Sequence, residues 1–297
     1  MNPIAKAVFP VTDLGSRVPS SPAAAAGPWE MMPVVDKPLI QYAVEEALAA
    51  GLTEMIFITG RGRSAIRNGF DAAHELDAAL ELRGKTELIE VIHEMLPRGV
   101  NPIFIRQGED RGLGHALLCA RSLIGGDAFA VIRADDLIDA RPGALAQMIE
   151  QYQRYRCSIV GAQRIARDET TRCGVIRCHA LFGSLSQVAG AAPLAASPDL
   201  PTLGVVGRFI LTPRIFDHLE SAAAAGGGEV GLLDAIAKLL HQERVLAYEF
   251  IGTRYDCGSK LGYLKATLAY GLTHPEVGPG FEAFLQARMS RSQLCAE

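Results

Sequence analysis

Short, nearly unbroken apolar runs recur along the first half of the chain, with amphipathic stretches between them. Ala7–Val11, Glu54–Thr59, Pro102–Arg106 and Ala128–Arg133 are rich in Val, Ile and Phe, the length and character of strands buried on both faces. Leu39–Ala50 sets Ile40, Val44, Ala47 and Leu48 on one face of a helix, and Gly51 stops it. Ala72–Leu82, Thr86–Met95 and Gly114–Leu123 read as further helices, the last entered through a glycine turn. Strands alternating with helices predict parallel βαβ units, an open sheet covered by helices on both faces.

After about residue 157 the rhythm changes. Cys157–Arg164, Gly174–Cys178 and Val205–Leu211 read as strands joined by longer irregular connections, and helix returns after Tyr248–Ile251. Pro22–Pro28 (PAAAAGP) and Gly190–Pro201 (GAAPLAASPDLP) lack amphipathic period and read as loops. The expected organisation is a single domain over 1–275, with halves at 1–150 and 151–275, and a helical tail over 276–297.

Composition narrows the function classes. The 297 residues are 49% hydrophobic and 21% charged, enough apolar material for a large core. A net charge of −4 supplies no basic surplus for a nucleic acid or an anionic membrane, though a small phosphorylated ligand needs only a local cluster of donors. No apolar run approaches the ~20 residues that span a bilayer. The amino-terminal segment has no signal-peptide pattern, and the six cysteines show no CxxC spacing. A cytoplasmic protein with reduced thiols is expected.

In an open parallel sheet, ligands sit beyond the carboxyl ends of the strands, so the loops there carry the candidate chemistry. After the first strand, Thr12–Arg17 offers a glycine turn and an arginine, suited to phosphate oxygens or simply to a turn. Glu30–Leu39 leads into the first helix, where Asp36 and Pro38 also suit a plain helix start. Gln107 has an amide able to read a base edge, and Gly112 allows flat contact by a base. His115 suits a structural hydrogen bond as well as a catalytic one. Asp135 and Asp136 end the fourth strand, and Asp256 follows the last one. Magnesium takes one or two carboxylates plus substrate phosphate oxygens; a solvated acidic turn is the plainer reading of Asp135-Asp136.

The runs Pro33–Glu46 (PVVDKPLIQYAVEE), Gly112–Ala116 (GLGHA), Ala134–Ile138 (ADDLI) and Thr253–Ala266 (TRYDCGSKLGYLKA) resemble the bacterial UTP–glucose-1-phosphate uridylyltransferases in order and spacing, from about Lys6 to His274. The resemblance implies an α/β, Rossmann-like fold with a mixed, mainly parallel sheet and a smaller sugar-binding, carboxy-terminal extension. It also implies a reaction in which glucose 1-phosphate attacks the α-phosphorus of UTP with Mg²⁺ bound, and UDP-glucose and pyrophosphate leave. Such transfers depend on positioning and charge neutralisation. Carried over by position, Leu14, Gly15, Glu30, Gln107 and Gly112 fall on nucleotide-binding sites, and Gly174 on a sugar contact. Arg17 and Asp136 fall on catalytic positions, and Asp136 and Asp256 on the magnesium ligands. Dimers or tetramers are implied as well.

The departures cluster where anions would be gripped. Asp13 replaces the first glycine of the family's G-x-G-T-R loop, and Trp29 stands where the phosphate-binding lysine is expected. The family's E-K-P run falls on Ala191-Ala192-Pro193, its tyrosine before Gly174 is Cys173, and the threonine of E-I-Q-L-T-D is Leu233. Removing one transition-state donor typically costs on the order of 10²–10³ in rate. These changes predict weak turnover; the alternative is an inactive nucleotide-binding or regulatory paralogue that assembles with an active enzyme.

Overall fold

The structure, a computed structural model, describes residues 4–11, 29–60, 89–94, 96–97, 100, 102–164, 174–192, 202–226 and 228–294. In chain order the strands are β1 (Lys6–Val11), β2 (Pro33–Val34), β3 (Lys37–Pro38), β4 (Glu54–Thr59), β5 (Pro102–Arg106), β6 (Phe129–Ile132), β7 (Asp136–Asp139), β8 (Ile159–Gln163), β9 (Val175–Phe182), β10 (Leu185–Ala192), β11 (Thr202–Leu211), β12 (Leu246–Glu249) and β13 (Thr253–Asp256). Nine of them form one sheet in the order β5-β4-β1-β6-β11-β8-β12-β10-β9. The β5-β4-β1-β6 half is parallel. From β11 onward the sheet is mixed, with β8 and β12 parallel to each other and the remaining pairings antiparallel.

Strand alternation divides the core. Val8, Ile56 and Val131 face the helices Leu113–Cys119, Ile215–Ala224 and Leu232–Leu239, where Leu117, Phe216, Leu219 and Ile236 are fully or almost fully buried. The next residue of each strand, Phe9, Phe57 and Ile132, faces the helices Leu39–Ala49 and Ala144–Tyr155 through Ile40, Val44, Leu145 and Met148. Phe9 and Phe57 stack at 4.7 Å between centroids. Burying each such side chain contributes roughly 1.5–3 kcal/mol.

A small antiparallel ribbon, β7 with β13, stands apart from the main sheet and pairs Asp136 with Asp256 and Leu137 with Tyr255. Its own apolar cluster joins Val34, Leu39, Leu137, Cys257 and Ala266. Helix Lys260–Thr273 follows, capped by the Ser259 hydroxyl, which accepts from the Gly262 N–H at 3.0 Å. Gly262 is required by close approach: a Cβ there would come 1.9 Å from the Asp256 carbonyl oxygen.

Most expected elements are present, and the differences are local. Ala120 divides Gly114–Leu123 into helices Leu113–Cys119 and Arg121–Ile124. Residues 89–94 of Thr86–Met95 are helical, and residues 86–88 and 95 lie outside the described residues. Residues 190–192, expected to open a loop, complete β10 against β9, and the rest of that expected loop lies outside the described residues. Helices Ala144–Tyr155, Ile215–Ala224 and Leu232–Leu239 and the ribbon are not among the expected elements. Pro22–Pro28 and Ala72–Leu82 lie outside the described residues.

Candidate active site

Gln107 follows β5 at the carboxyl edge of the parallel half. Its N–H donates to the Thr59 carbonyl at 2.8 Å, tying it to the end of β4. The side chain is fully buried, and its Nε2 lies 2.9 Å from Nδ1 of His115 on helix Leu113–Cys119. With that amide nitrogen donating to His115, Oε1 is left buried without a hydrogen-bond partner among the described residues. An unfilled buried acceptor costs about 1–3 kcal/mol, so the arrangement is suited to an incoming N–H donor. Gly112 caps the helix at φ 89°, a left-handed conformation that favours glycine, and a Cβ there would come 2.4 Å from Cγ of Glu229.

The carboxylates lie where β6 ends and the ribbon begins. Asp136 points inward: one oxygen accepts from the Gly207 N–H at 2.6 Å and the other from Nε of Arg254. Burial opposes its ionisation, but Arg254, then Arg133 and Arg208, hold its carboxyl below the usual carboxylate range. Asp135 lies toward Gly258. Its Oδ2 lies 3.4 Å from the point a Cβ on Gly258 would occupy, and Oδ1 of Asp256 lies 3.2 Å from the same point. Strand register therefore makes Asp136 the partner of Asp256 across the ribbon, whereas the carboxylate that converges with Asp256 over Gly258 is that of Asp135.

Three guanidinium groups balance these acids. Arg208, in β11, is buried and donates through Nε and Nη2 to Glu46 at 3.1 and 2.8 Å. Its remaining bonds reach the carbonyls of Arg133, Gly207 and Asp136 at 2.8, 3.1 and 3.0 Å. The other oxygen of Glu46 accepts from the Leu145 N–H at 2.9 Å, at the start of helix Ala144–Tyr155. This strut joins two helices to the loop that carries Asp135 and Asp136. Arg254 is buried against Asp136. Arg133 pairs with Asp135, and both side chains are partly open to solvent. Asp135 beside it keeps Arg133 protonated beyond its ordinary range; burial opposes this, and Asp136 and Asp256 reinforce it.

Trp29 begins a 3₁₀ turn, Trp29–Met31, that also holds Glu30. Its Nε1 donates to the Cys257 carbonyl at 3.1 Å, and its ring meets Tyr263 edge-on at 6.3 Å. The side chain standing at the expected lysine position thus rests on the turn that presents Asp256. Gly174 lies in the antiparallel half just before β9, where its carbonyl accepts from the Val205 N–H at 2.8 Å. A Cβ on Gly174 would come 2.0 Å from Cδ1 of Leu233, so Leu233 covers the glycine. Leu14, Gly15 and Arg17 lie outside the described residues, as does Asp13.

Sequence reading missed Glu46, Arg133, Arg208 and Arg254. A signal existed for Arg208, an arginine inside the apolar run VVGRFIL, because a charged side chain in a buried strand needs a buried partner. Nothing local reveals that its partner is Glu46.

With this geometry established, comparison with known proteins is direct. The nucleotidyl transferase family matches residues 21–271. The UTP–glucose-1-phosphate uridylyltransferase of Bacillus subtilis is 39% identical over 295 residues, 99% of this chain and 100% of the relative. The UTP–glucose-1-phosphate uridylyltransferase 2 of Staphylococcus saprophyticus is 40% identical over 273 residues, 92% of this chain and 93% of the relative. The UTP-bound UDP-glucose pyrophosphorylase of Acinetobacter baumannii superposes with a TM-score of 0.77 at 36% identity, over 95% of this chain and 99% of that one. The chain belongs to the nucleotidyl transferase family, in the group of the UTP–glucose-1-phosphate uridylyltransferases.

Proposed function

We propose that this chain transfers a uridylyl group from UTP to glucose 1-phosphate. A phosphate oxygen of the sugar phosphate bonds to the α-phosphorus, and the bond to the α–β bridging oxygen breaks. Pyrophosphate departs with that electron pair, leaving UDP-glucose. The carrying observation is the unpartnered Oε1 of Gln107: the N3–H of uracil is a donor that would complete it, whereas cytosine presents no donor at N3. Gly112 is assigned to the nucleotide by the resemblance, and Glu229 packs beside it.

The donor set fits a divalent ion. Among the described residues no cluster of three or more His, Cys, Asp or Glu side chains stands ready to cage a metal, but magnesium takes only one or two carboxylates and leaves the rest to water and phosphate oxygens. Asp135 and Asp256, converging over Gly258, would hold it. Bound there, Mg²⁺ would neutralise charge on the phosphates. Asp136 orients this pair from behind through Gly207 and Arg254. Leu14, Gly15 and Arg17 are assigned to the triphosphate, Glu30 to the nucleotide edge of the site, and Gly174 to the sugar.

We also propose self-association. Leu261, Leu264, Leu268 and Leu272 recur at helical spacing along Lys260–Thr273 and are all exposed. A stripe of this kind suits a second copy of the chain, and light scattering after size exclusion tests it. Among the described residues no helix is long and apolar enough to cross a membrane. A calorimetric titration with UTP and CTP tests the base reading: UTP binding at least tenfold tighter is expected, and equal affinities would refute it.

A further inference from the structure

Of the three arginines around the carboxylates, two are committed to protein partners. Arg208 makes five hydrogen bonds to buried groups, and Arg254 is buried against Asp136. Arg133 differs. It follows the last residue of β6, at the carboxyl edge of the sheet, and its N–H donates to the Gly207 carbonyl at 2.8 Å. That bond fixes its backbone while the side chain stays 32% exposed beside Asp135, itself 23% exposed. Arg133 therefore stands at the rim of the place where Asp135 and Asp256 converge.

An ion pair partly open to solvent is screened more than a fully buried one, so it can be separated when each partner is offered a stronger one. A nucleoside triphosphate offers the guanidinium a bidentate anion, and a cation arriving with it offers Asp135 a replacement. No such cation comes from residue 29, where a tryptophan braces Cys257. We propose that Arg133 is a phosphate-binding residue, exchanging Asp135 for a phosphate oxygen of the nucleotide when it binds. The inference rests on the nucleotide reading above and adds one group to it.

The test compares UTP with uridine in the presence of Mg²⁺, for the wild-type chain, Arg133→Gln and Arg133→Lys. Trp29 is the single tryptophan of the chain and touches the turn that carries Asp256, so its fluorescence follows binding, with calorimetry in parallel. Uridine reports on the Gln107 pocket alone and also shows that each variant is folded. Arg133→Gln is expected to weaken UTP roughly 10- to 100-fold and leave uridine within about twofold. Arg133→Lys, which keeps the charge but not the bidentate fork, is expected to recover only part of the UTP loss, whereas a purely structural role would shift UTP and uridine together. Uridine binding with an unchanged UTP-to-uridine ratio in Arg133→Gln overturns this inference alone. Failure of the wild-type chain to bind either ligand overturns the nucleotide reading, and this inference with it.

Discussion

Replacing Arg208 by Met probes the strut beneath the carboxylates. Arg208 is 2% exposed and its partner Glu46 10% exposed. The substitution would leave a carboxylate in a dry site and remove donors from the carbonyls of Arg133, Asp136 and Gly207. Breaking a buried pair from one side costs about 3–5 kcal/mol. At about 2 °C per kcal/mol for a chain of this size, the midpoint should fall by roughly 6–10 °C. Urea unfolding of Arg208→Met, Glu46→Leu and the double variant gives the coupling. Because the double variant holds no stranded charge, its loss should fall short of the sum of the single losses by about 2–3 kcal/mol. A loss below about 1 kcal/mol in Arg208→Met, or simple additivity, would refute the assignment of Arg208 and Glu46 as the element that fixes the Asp135–Asp136 loop.

Other consequences are as direct. Gln107→Leu removes the unpartnered acceptor and the contact to His115, and should weaken uridine binding about tenfold in calorimetry. Asp136 has a folded pKa below its ordinary value of 3.8, so its contribution is complete above about pH 4 and is lost as pH falls toward the folded value. Stability measured by urea unfolding should therefore decline more steeply below pH 4 in the wild-type chain than in Asp136→Asn; parallel curves would refute this. The Cys257 thiol, pushed up to about 12 by burial and then by Asp136, Asp135 and Asp256, should resist iodoacetamide at pH 8 in the folded chain, as read by peptide mass spectrometry. Gly262→Ala would force a Cβ into the Asp256 carbonyl and should lower the thermal midpoint by several degrees; an unchanged midpoint would refute the close approach.

How much of this was legible in the sequence depended on whether the signal was local. β4 and β5 were bounded to the residue, because apolar runs between turn residues need no knowledge of distant chain. The antiparallel insertion of β11 beside β6 was not legible, since strand order arises from tertiary pairing. Asp135 and Asp136 were recognised as candidates, but which one faces Asp256 is set by the β7–β13 ribbon, whose strands of 4 residues each carry little pattern of their own. The expectation of weak turnover drew on Asp13, outside the described residues, and on Ala191 and Ala192, which complete β10, and the comparisons supply no support for an impaired site. Trp29, which also prompted it, proves to be a brace for the Asp256 turn.

The central claim is chemical, and one assay addresses it. Purified chain is incubated with UTP, glucose 1-phosphate and Mg²⁺, and UDP-glucose and pyrophosphate are quantified against Asp256→Asn prepared identically. The account predicts the two products in equal amounts, with a rate at least about 100-fold lower in the variant. Product formation no greater than that of Asp256→Asn would contradict it and leave a nucleotide-binding protein without transfer.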